Sequence, residues 1–175
     1  MDYAIILRFD ETTESVFNSI IKSIADSEAS SYLIDVKIPP HITLALFCTD
    51  NVESITNELD KHIESFNAGD ITWVSLGAFV PYALFAAPVL NEYLLSACIN
   101  ANNLINPFSI PGDNGRYLPY QWVPHTSLAV QLDNETLKKA FNTASKQFVA
   151  TKGQANRLIL VECNPYTEIK AWDIT

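Results

Sequence analysis

Two short stretches of this chain place a hydroxyl residue two positions after a histidine. Residues 40–45 read PHITLA and residues 124–129 read PHTSLA, so His41 is matched with Thr43 and His125 with Ser127. The chain has three histidines, and two of them lie in these stretches. Histidine titrates near neutral pH and acts as a general acid or base, while hydroxyl groups donate hydrogen bonds to anionic oxygens. The paired stretches therefore indicate acid–base chemistry on an anionic substrate.

Each histidine is predicted to lie where a strand begins. A proline directly before it favours extended backbone, and an apolar run follows each motif. Side chains alternate between the two faces of a strand, so a histidine and the hydroxyl residue two positions later share a face. His41 with Thr43, and His125 with Ser127, can therefore reach the same ligand.

The surrounding elements alternate between helical and strand-like periodicity. Helices are predicted over about residues 11–27, 52–66, 90–104 and 133–148, strands over 3–9, 42–48, 71–79, 82–88, 125–132, 157–163 and 166–173, a short extended piece over 33–37, and a long loop over 106–123. Gly77, inside a strand, predicts a bulge or a close approach of another group.

The order of these elements repeats along the chain. Residues 11–88 and 89–174 each read helix, loop, Pro-His strand, helix, strand, strand, and the two histidines are 84 residues apart. We expect an α+β fold in one bilobal domain, residues 1–175, with two largely antiparallel sheets flanking a central cleft and helices on the outer faces. A pseudo-twofold axis would make His41 and His125 face each other across that cleft.

Two histidines that face each other supply a general base and a general acid, which suits in-line displacement at phosphorus. Neither group needs a metal, and no cofactor is expected. Thr43 and Ser127 would donate hydrogen bonds to the non-bridging phosphate oxygens, where negative charge develops in the transition state. One neutral and one protonated histidine predict a bell-shaped pH profile near neutrality.

The segments 41–44 (HITL) and 125–128 (HTSL) resemble the paired His-x-Thr/Ser motifs of the two-histidine phosphoesterase superfamily. That family includes the 2′-5′ RNA ligase-like proteins and cyclic nucleotide phosphodiesterases. Thr126 departs from the family pattern, which usually has an apolar residue there. The resemblance implies metal-independent chemistry on 2′,3′-cyclic phosphates or 2′-5′ phosphodiester linkages of RNA ends or small nucleotides. Hydrolysis and ligation would be opposite directions at one site.

The loop before the second motif contains candidate substrate-binding residues, namely Arg116, Tyr117, Tyr120 and Trp122. Aromatic rings there can stack on a base and Arg116 can pair with phosphate, or else Tyr120 and Trp122 only pack the loop onto its lobe. The resemblance adds Tyr3, Arg8 and Tyr166, because family clefts often place an aromatic or basic residue from the first strand or last hairpin near the base.

Composition limits the remaining possibilities. The chain has 175 residues, of which 48% are hydrophobic and 18% charged, with a net charge of −9. Disorder, a bilayer-spanning segment and the wrapping of long nucleic acid are all disfavoured. Cys48, Cys98 and Cys163 lie in separate apolar runs, which is typical of buried free thiols. We expect a monomeric, soluble, cytoplasmic protein with no membrane contact and a small nucleotide or RNA end as its partner.

Two other functions remain open from the residues alone. The first is a binding module that holds a nucleotide or RNA end without turnover. The second is a metal-dependent hydrolase in which His62 joins His41 and His125, since three histidines can bind catalytic zinc. The spacing does not favour it, because His62 lies on a predicted helix away from the cleft.

Overall fold

The computed structural model describes residues 2–175 and has an α+β fold with antiparallel strand pairing, which confirms the predicted fold class. The strands are β1 (Asp2–Phe9), β2 (Ile42–Cys48), β3 (Gly69–Phe79), β4 (Ala83–Pro88), β5 (Ile110–Pro111), β6 (Thr126–Ala129), β7 (Thr151–Cys163) and β8 (Tyr166–Asp173). The helices are α1 (Glu11–Asp26), α2 (Tyr32–Asp35), α3 (Val52–His62), α4 (Glu92–Ile105) and α5 (Asn134–Ala144).

The strands of both predicted lobes join one hydrogen-bonded path instead of two separate sheets. Its order is β5-β2-β1-β7-β3-β4-β6, and β8 also pairs with β7. The long strand β7 makes this connection, because residues 151–155 pair with β3 while residues 155–162 pair with β1. Its first six residues precede the predicted start of the strand at residue 157.

The path is symmetric about the β7–β3 pair. Outward from that pair come β1 and then β2 on one side, and β4 and then β6 on the other. Apart from the short α2 and β5, the orders β1-α1-β2-α3-β3 and β4-α4-β6-α5-β7 are therefore equivalent. This symmetry favours a repeat of residues 2–79 and 83–163, a frame that begins one strand earlier than the predicted halves 11–88 and 89–174.

The four longer helices begin at an Asp or Asn residue that caps the first turn. Asp10 accepts from the Thr13 amide at 2.9 Å, and Asn51, Asn91 and Asp133 cap α3, α4 and α5 in the same way. Each such cap contributes about 1 kcal/mol to helix stability. The apolar faces of these helices then pack on the sheet, and among residues 2–175 no helix is long and apolar enough to span a bilayer.

One local prediction is wrong. Residues 33–37 were expected to be extended, but Tyr32–Asp35 forms the short helix α2. The amides of Ile34 and Asp35 donate to the Ser31 carbonyl, and buried Leu33 fixes the turn against the core. Lys37, at a φ of 56°, then ends the turn before the prolines.

The long loop 106–123 is fixed to β2, the strand of the first motif. Its short strand β5 pairs with Phe47 and Cys48, and the Gly112 amide donates to the Leu46 carbonyl at 2.9 Å. Asn102 of α4 donates to the carbonyls of both Leu44 and Tyr117, each at 3.2 Å. The loop that leads into the second motif therefore packs on the strand that carries the first.

Candidate active site

The two imidazole rings are held by equivalent hydrogen bonds. Nδ1 of His41 lies 2.8 Å from the Pro39 carbonyl oxygen, and Nδ1 of His125 lies 2.8 Å from the Val123 carbonyl oxygen. A carbonyl oxygen only accepts, so Nδ1 is the donor in both rings. Each neutral ring then has an unprotonated Nε2, for which residues 2–175 provide no hydrogen-bond partner. Both Nε2 atoms are thus available for proton transfer.

Strand alternation directs the histidine and hydroxyl side chains of each motif away from the core. His41 and Thr43 are half-buried while Ile42 and Leu44 are fully buried, and His125 and Ser127 are half-buried while Thr126 and Leu128 are buried. The predicted pairing of each histidine with its hydroxyl residue on one face thus agrees with their exposure.

Aromatic rings surround His125. The Phe79 ring lies edge-on to it at 4.9 Å between centroids, the Phe85 ring lies at 5.3 Å, and the Tyr117 ring at 6.3 Å. The Phe85 ring also packs over Gly77, where a side chain would clash, so the predicted close approach at this glycine is confirmed. Burial among these rings lowers the pKa of His125, although the hydrogen bond to Val123 opposes this shift.

The pKa of His41 is influenced by charged groups as well as by burial. Burial, together with the charges of His125 and Arg8, lowers its pKa from 6.5 to about 4, against the opposing effects of the Pro39 carbonyl and Glu14. The influence of His125 on this pKa indicates that the two motifs share one electrostatic environment. His41 is therefore neutral at pH 7.

Arg8 is bound within a network of ion pairs beside His41. Its Nε and Nη2 atoms donate to the two carboxylate oxygens of Glu14, both at 2.7 Å, and its Nη1 donates to Glu168 at 3.1 Å. Arg157 also donates to Glu14, at 3.4 Å. Arg8 thus ties β1 to α1 and β8 through three of its five N–H groups.

A cavity of about 810 Å³ opens on the His125 side of the site. His125 and Ser127 line it, but His41 and Thr43 do not. Phe79, Tyr82 and Tyr117 contribute aromatic walls, and polar groups of the 106–123 loop lie at its edge. The two sides of the site therefore differ, with an aromatic cavity beside His125 and an ion-pair network beside His41.

The loop candidates have separate positions. Arg116 and Tyr117 line the cavity, where Arg116 is mostly exposed and lies 3.5 Å from Asp113, and burial raises the pKa of Tyr117 to about 12. Trp122 also lines the cavity but is buried, and its indole N–H donates to the Thr43 carbonyl at 2.9 Å. Tyr120 is 84% exposed and does not line the cavity.

The candidates from the first strand and last hairpin lie outside this cavity. Tyr3 is buried in the core with its ring stacked on Phe47 at 6.1 Å, because it shares the core-facing side of β1 with Ile5. Tyr166 packs on the opposite face of the sheet, and its hydroxyl donates to Glu168 at 3.3 Å.

The sequence pattern did not identify several residues of the site. Phe79 and Phe85 both contact His125, and Phe79 is 41% exposed at the cavity wall. Glu14 was not singled out, because its pairing with Arg8 becomes visible only when α1 packs on the sheet. Phe79 and Tyr82 flank the tight turn between β3 and β4, and this pair of aromatic residues is the sequence feature that could have identified Phe79 as a site residue.

His62 lies apart from the other two histidines. It is on α3, half exposed, with Nε2 3.7 Å from Glu58. Among residues 2–175, no cluster of three or more His, Cys, Asp or Glu side chains has a metal-binding arrangement.

Known proteins share this fold at very low sequence identity. No family model matches the sequence, and no curated protein is significantly similar to it. The protein TT0787 of Thermus thermophilus superposes with a TM-score of 0.66 at 11% identity, covering 99% of this chain and 98% of that one. Escherichia coli LigT, solved with 3′-AMP, gives 0.62 at 12% identity, with 99% and 97% covered.

A third structure, described as a phosphoesterase, gives a TM-score of 0.61 at 10% identity over 99% of this chain and 97% of its own. TT0787 and LigT are members of the two-histidine phosphoesterase superfamily. This chain therefore has the fold of the two-histidine phosphoesterases, as its paired motifs predicted.

Proposed function

We propose that this chain is a metal-independent phosphoesterase that hydrolyses 2′,3′-cyclic phosphate or 2′-5′ phosphodiester bonds of small nucleotides or RNA ends. The equivalent hydrogen bonds at His41 and His125 carry the proposal. Both fix the ring through Nδ1 and leave Nε2 for the reaction, which an acid–base pair requires. Because one chain supplies both histidines, we propose that a monomer with no cofactor is the active unit.

In the hydrolytic direction, Nε2 of one neutral histidine removes a proton from water as its oxygen attacks phosphorus. The other histidine, protonated at Nε2, gives its proton to the ribose oxygen as the phosphorus–oxygen bond breaks. In the ligation direction a ribose hydroxyl replaces water. The base removes its proton as its oxygen attacks the cyclic phosphate, and the acid gives a proton to the ribose oxygen that leaves. The pKa of about 4 at His41 favours His41 as the base, which leaves His125 as the acid.

Thr43 and Ser127 complete the site in this proposal. Each is half-buried on the same face as its histidine, two residues along the strand. Their hydroxyl groups would donate to the two non-bridging oxygens, whose negative charge increases as water attacks. Two similar motifs, each with one hydroxyl group, would suit a tetrahedral phosphate, which presents two such oxygens.

The aromatic cavity is the proposed position of the nucleoside. Phe79, Tyr82 and Tyr117 offer apolar ring surfaces, and Arg116 offers a cation at the edge. Base stacking on aromatic side chains is a common mode of nucleotide binding. The 3′-AMP bound in Escherichia coli LigT supports a nucleotide as the ligand of this fold.

The test is turnover of a panel of 2′,3′-cyclic mononucleotides and 2′-5′-linked dinucleotides, each with and without EDTA. We expect hydrolysis of at least one substrate at a rate that EDTA does not change. Loss of activity in EDTA that returns with added zinc would favour a metal-dependent hydrolase.

Binding without turnover across the panel would identify a nucleotide-binding module. This outcome is distinguished by measuring the affinity for 3′-AMP by calorimetry on the same protein preparation. An active enzyme shows both binding and turnover, whereas a binding module shows only the first.

A further inference from the structure

Thr126, the residue that departs from the family pattern, accepts a buried hydrogen bond. The indole Nε1–H of Trp73 donates to its Oγ1 at 3.0 Å, and both side chains are 0% exposed. Thr126 lies between His125 and Ser127 in β6, and its side chain faces the core while theirs do not. The bond therefore holds the motif strand from its core-facing side, at the position between His125 and Ser127.

Trp73 is a rigid donor. Its ring packs against the edges or faces of Phe9 and Phe17, each at 4.9 Å between centroids. It belongs to β3, and β4 lies between β3 and β6 in the sheet, so the bond joins strands that are not neighbours. An apolar residue at position 126 would leave the indole N–H of Trp73 without an acceptor. A buried donor without an acceptor is energetically unfavourable.

The other motif strand is held in a comparable way. Trp122 donates its indole Nε1–H to the main-chain carbonyl of Thr43 at 2.9 Å and is 7% exposed. In the repeat frame of residues 2–79 and 83–163, Trp73 of the first repeat holds the second motif, and Trp122 of the second repeat holds the first. Each motif strand is therefore hydrogen-bonded to a tryptophan of the other repeat.

We propose that Trp73 and Trp122 are positioning residues that fix the two motif strands, and hence His41 and His125, relative to each other. This inference rests on the proposed function, because acid–base catalysis at one phosphate requires both rings at a defined separation. Small displacements of catalytic groups have large effects on rate, whereas substrate affinity depends mainly on the cavity.

The first test compares Thr126→Val with Thr126→Ser. Valine has nearly the same shape but removes the hydroxyl acceptor, whereas serine keeps it. We expect Thr126→Val to lower kcat roughly tenfold with little change in KM, and Thr126→Ser to restore most of kcat. Thermal unfolding of each variant, measured in parallel, shows how much stability is lost.

The second test uses the remaining tryptophan as a control. Trp122→Phe removes the donor to Thr43, while Trp172→Phe removes an indole hydrogen bond to Asp60 between β8 and α3, at 2.8 Å and away from both motifs. Trp122→Phe should lower kcat and Trp172→Phe should not. This comparison also applies if Thr126→Val fails to fold.

A structural readout separates failure of this inference from failure of the proposed function. The ring ¹⁵N signals of His125 should shift in Thr126→Val and should return to their wild-type positions in Thr126→Ser. Those of His41 should shift in Trp122→Phe but not in Trp172→Phe. Both comparisons hold whether or not the protein turns over a substrate. Unchanged histidine signals and unchanged kcat in folded Thr126→Val and Trp122→Phe would overturn the inference.

Discussion

His41 and His125 are held alike but lie in different environments. Each ring donates from Nδ1 to the carbonyl two residues before it. His125 is surrounded by aromatic rings, whereas His41 lies near Arg8 and Glu14. Burial lowers both pKa values, and the shift at His41 reaches about 4. This difference fits the separate roles of base and acid that we propose for His41 and His125.

The pH profile of kcat/KM tests those roles. The base must be neutral, so the rate rises as pH increases through its pKa, and the acid must be protonated, so the rate falls as pH increases through its pKa. Because both pKa values lie below 6.5, the bell should have its maximum between about pH 4 and 6.5, on the acid side of the neutral optimum that the sequence alone suggests.

Steady-state kinetics on a 2′,3′-cyclic nucleotide, in buffers of constant ionic strength, provide the measurement. The bound phosphate anion should raise both pKa values, so the kcat profile should shift toward higher pH than that of kcat/KM. A flat profile of kcat/KM from about pH 5 to 9 would contradict paired histidine catalysis.

At the scale of single residues, the motifs were readable because proline, histidine and hydroxyl types recur at fixed spacing. The preceding prolines were also visible, and the structure shows that the carbonyl two residues before each histidine orients the ring. The partners of Thr126 and Arg8 were not readable. Trp73 is 53 residues from Thr126 in the sequence, and Glu168 is 160 residues from Arg8, so only the fold brings them together.

Among the elements, the 106–123 loop connects the two motif strands. It pairs with β2 through β5 and Gly112, and it leads into β6 at the second motif. Because it is fixed at several points, it presents Arg116 and Tyr117 to the cavity from a defined position. The loop therefore acts as part of the cavity wall.

Arg116→Ala tests the contribution of this loop to substrate binding. Arg116 is the exposed cation at the cavity edge, so its removal should raise KM for a cyclic nucleotide roughly fivefold, about 1 kcal/mol, with little effect on kcat. Tyr120→Ala is the matched control, because Tyr120 is in the same loop but 84% exposed outside the cavity. Equal effects of the two substitutions on KM would argue against a specific role for Arg116.

Sequence periodicity predicted the long elements well and the irregular ones poorly. The helices α1 and α4 and the strand β2 lie within a few residues of their predicted ranges, because capping residues and regular apolar spacing define them. The early start of β7 was missed, because Thr151 to Gln154 are polar and become a strand only by pairing with β3. The helix α2 was missed because four residues carry too little periodicity.

The whole molecule combines a symmetric strand order with an asymmetric site. The sheet path is symmetric about β7 and β3, yet the cavity lies on the His125 side alone. Among residues 2–175, Arg116 is the one Lys or Arg side chain that lines it, and the net charge of the chain is −9. A small ligand with one phosphate suits this charge distribution better than a long polyanion.

Salt dependence measures this charge distribution directly. If one exposed cation contacts the substrate, log kcat/KM should fall with log salt concentration with a slope of about −1 or shallower. An oligonucleotide ending in a 2′,3′-cyclic phosphate should react no faster per end than the corresponding mononucleotide. A steep slope together with a preference for the longer substrate would show that additional basic residues bind the backbone.

The α+β class and the paired strands were predictable at this scale because the element order repeats along the chain. The continuous strand path was not, since it depends on β7 pairing with β1 along one edge and with β3 and β8 along the other. Alternation and helical periodicity specify which face of an element is buried but not which strand becomes its neighbour.

The most direct measurement is kcat/KM on a 2′,3′-cyclic nucleotide for His41→Ala, His125→Ala and, as a control, His62→Ala, with folding verified for each variant. Loss of a general acid or base costs about 10²- to 10⁴-fold. We therefore expect His41→Ala and His125→Ala each to lose at least about 100-fold, and His62→Ala, outside the site, to match the wild type. Near wild-type activity in either of the first two variants would contradict paired histidine catalysis at this site.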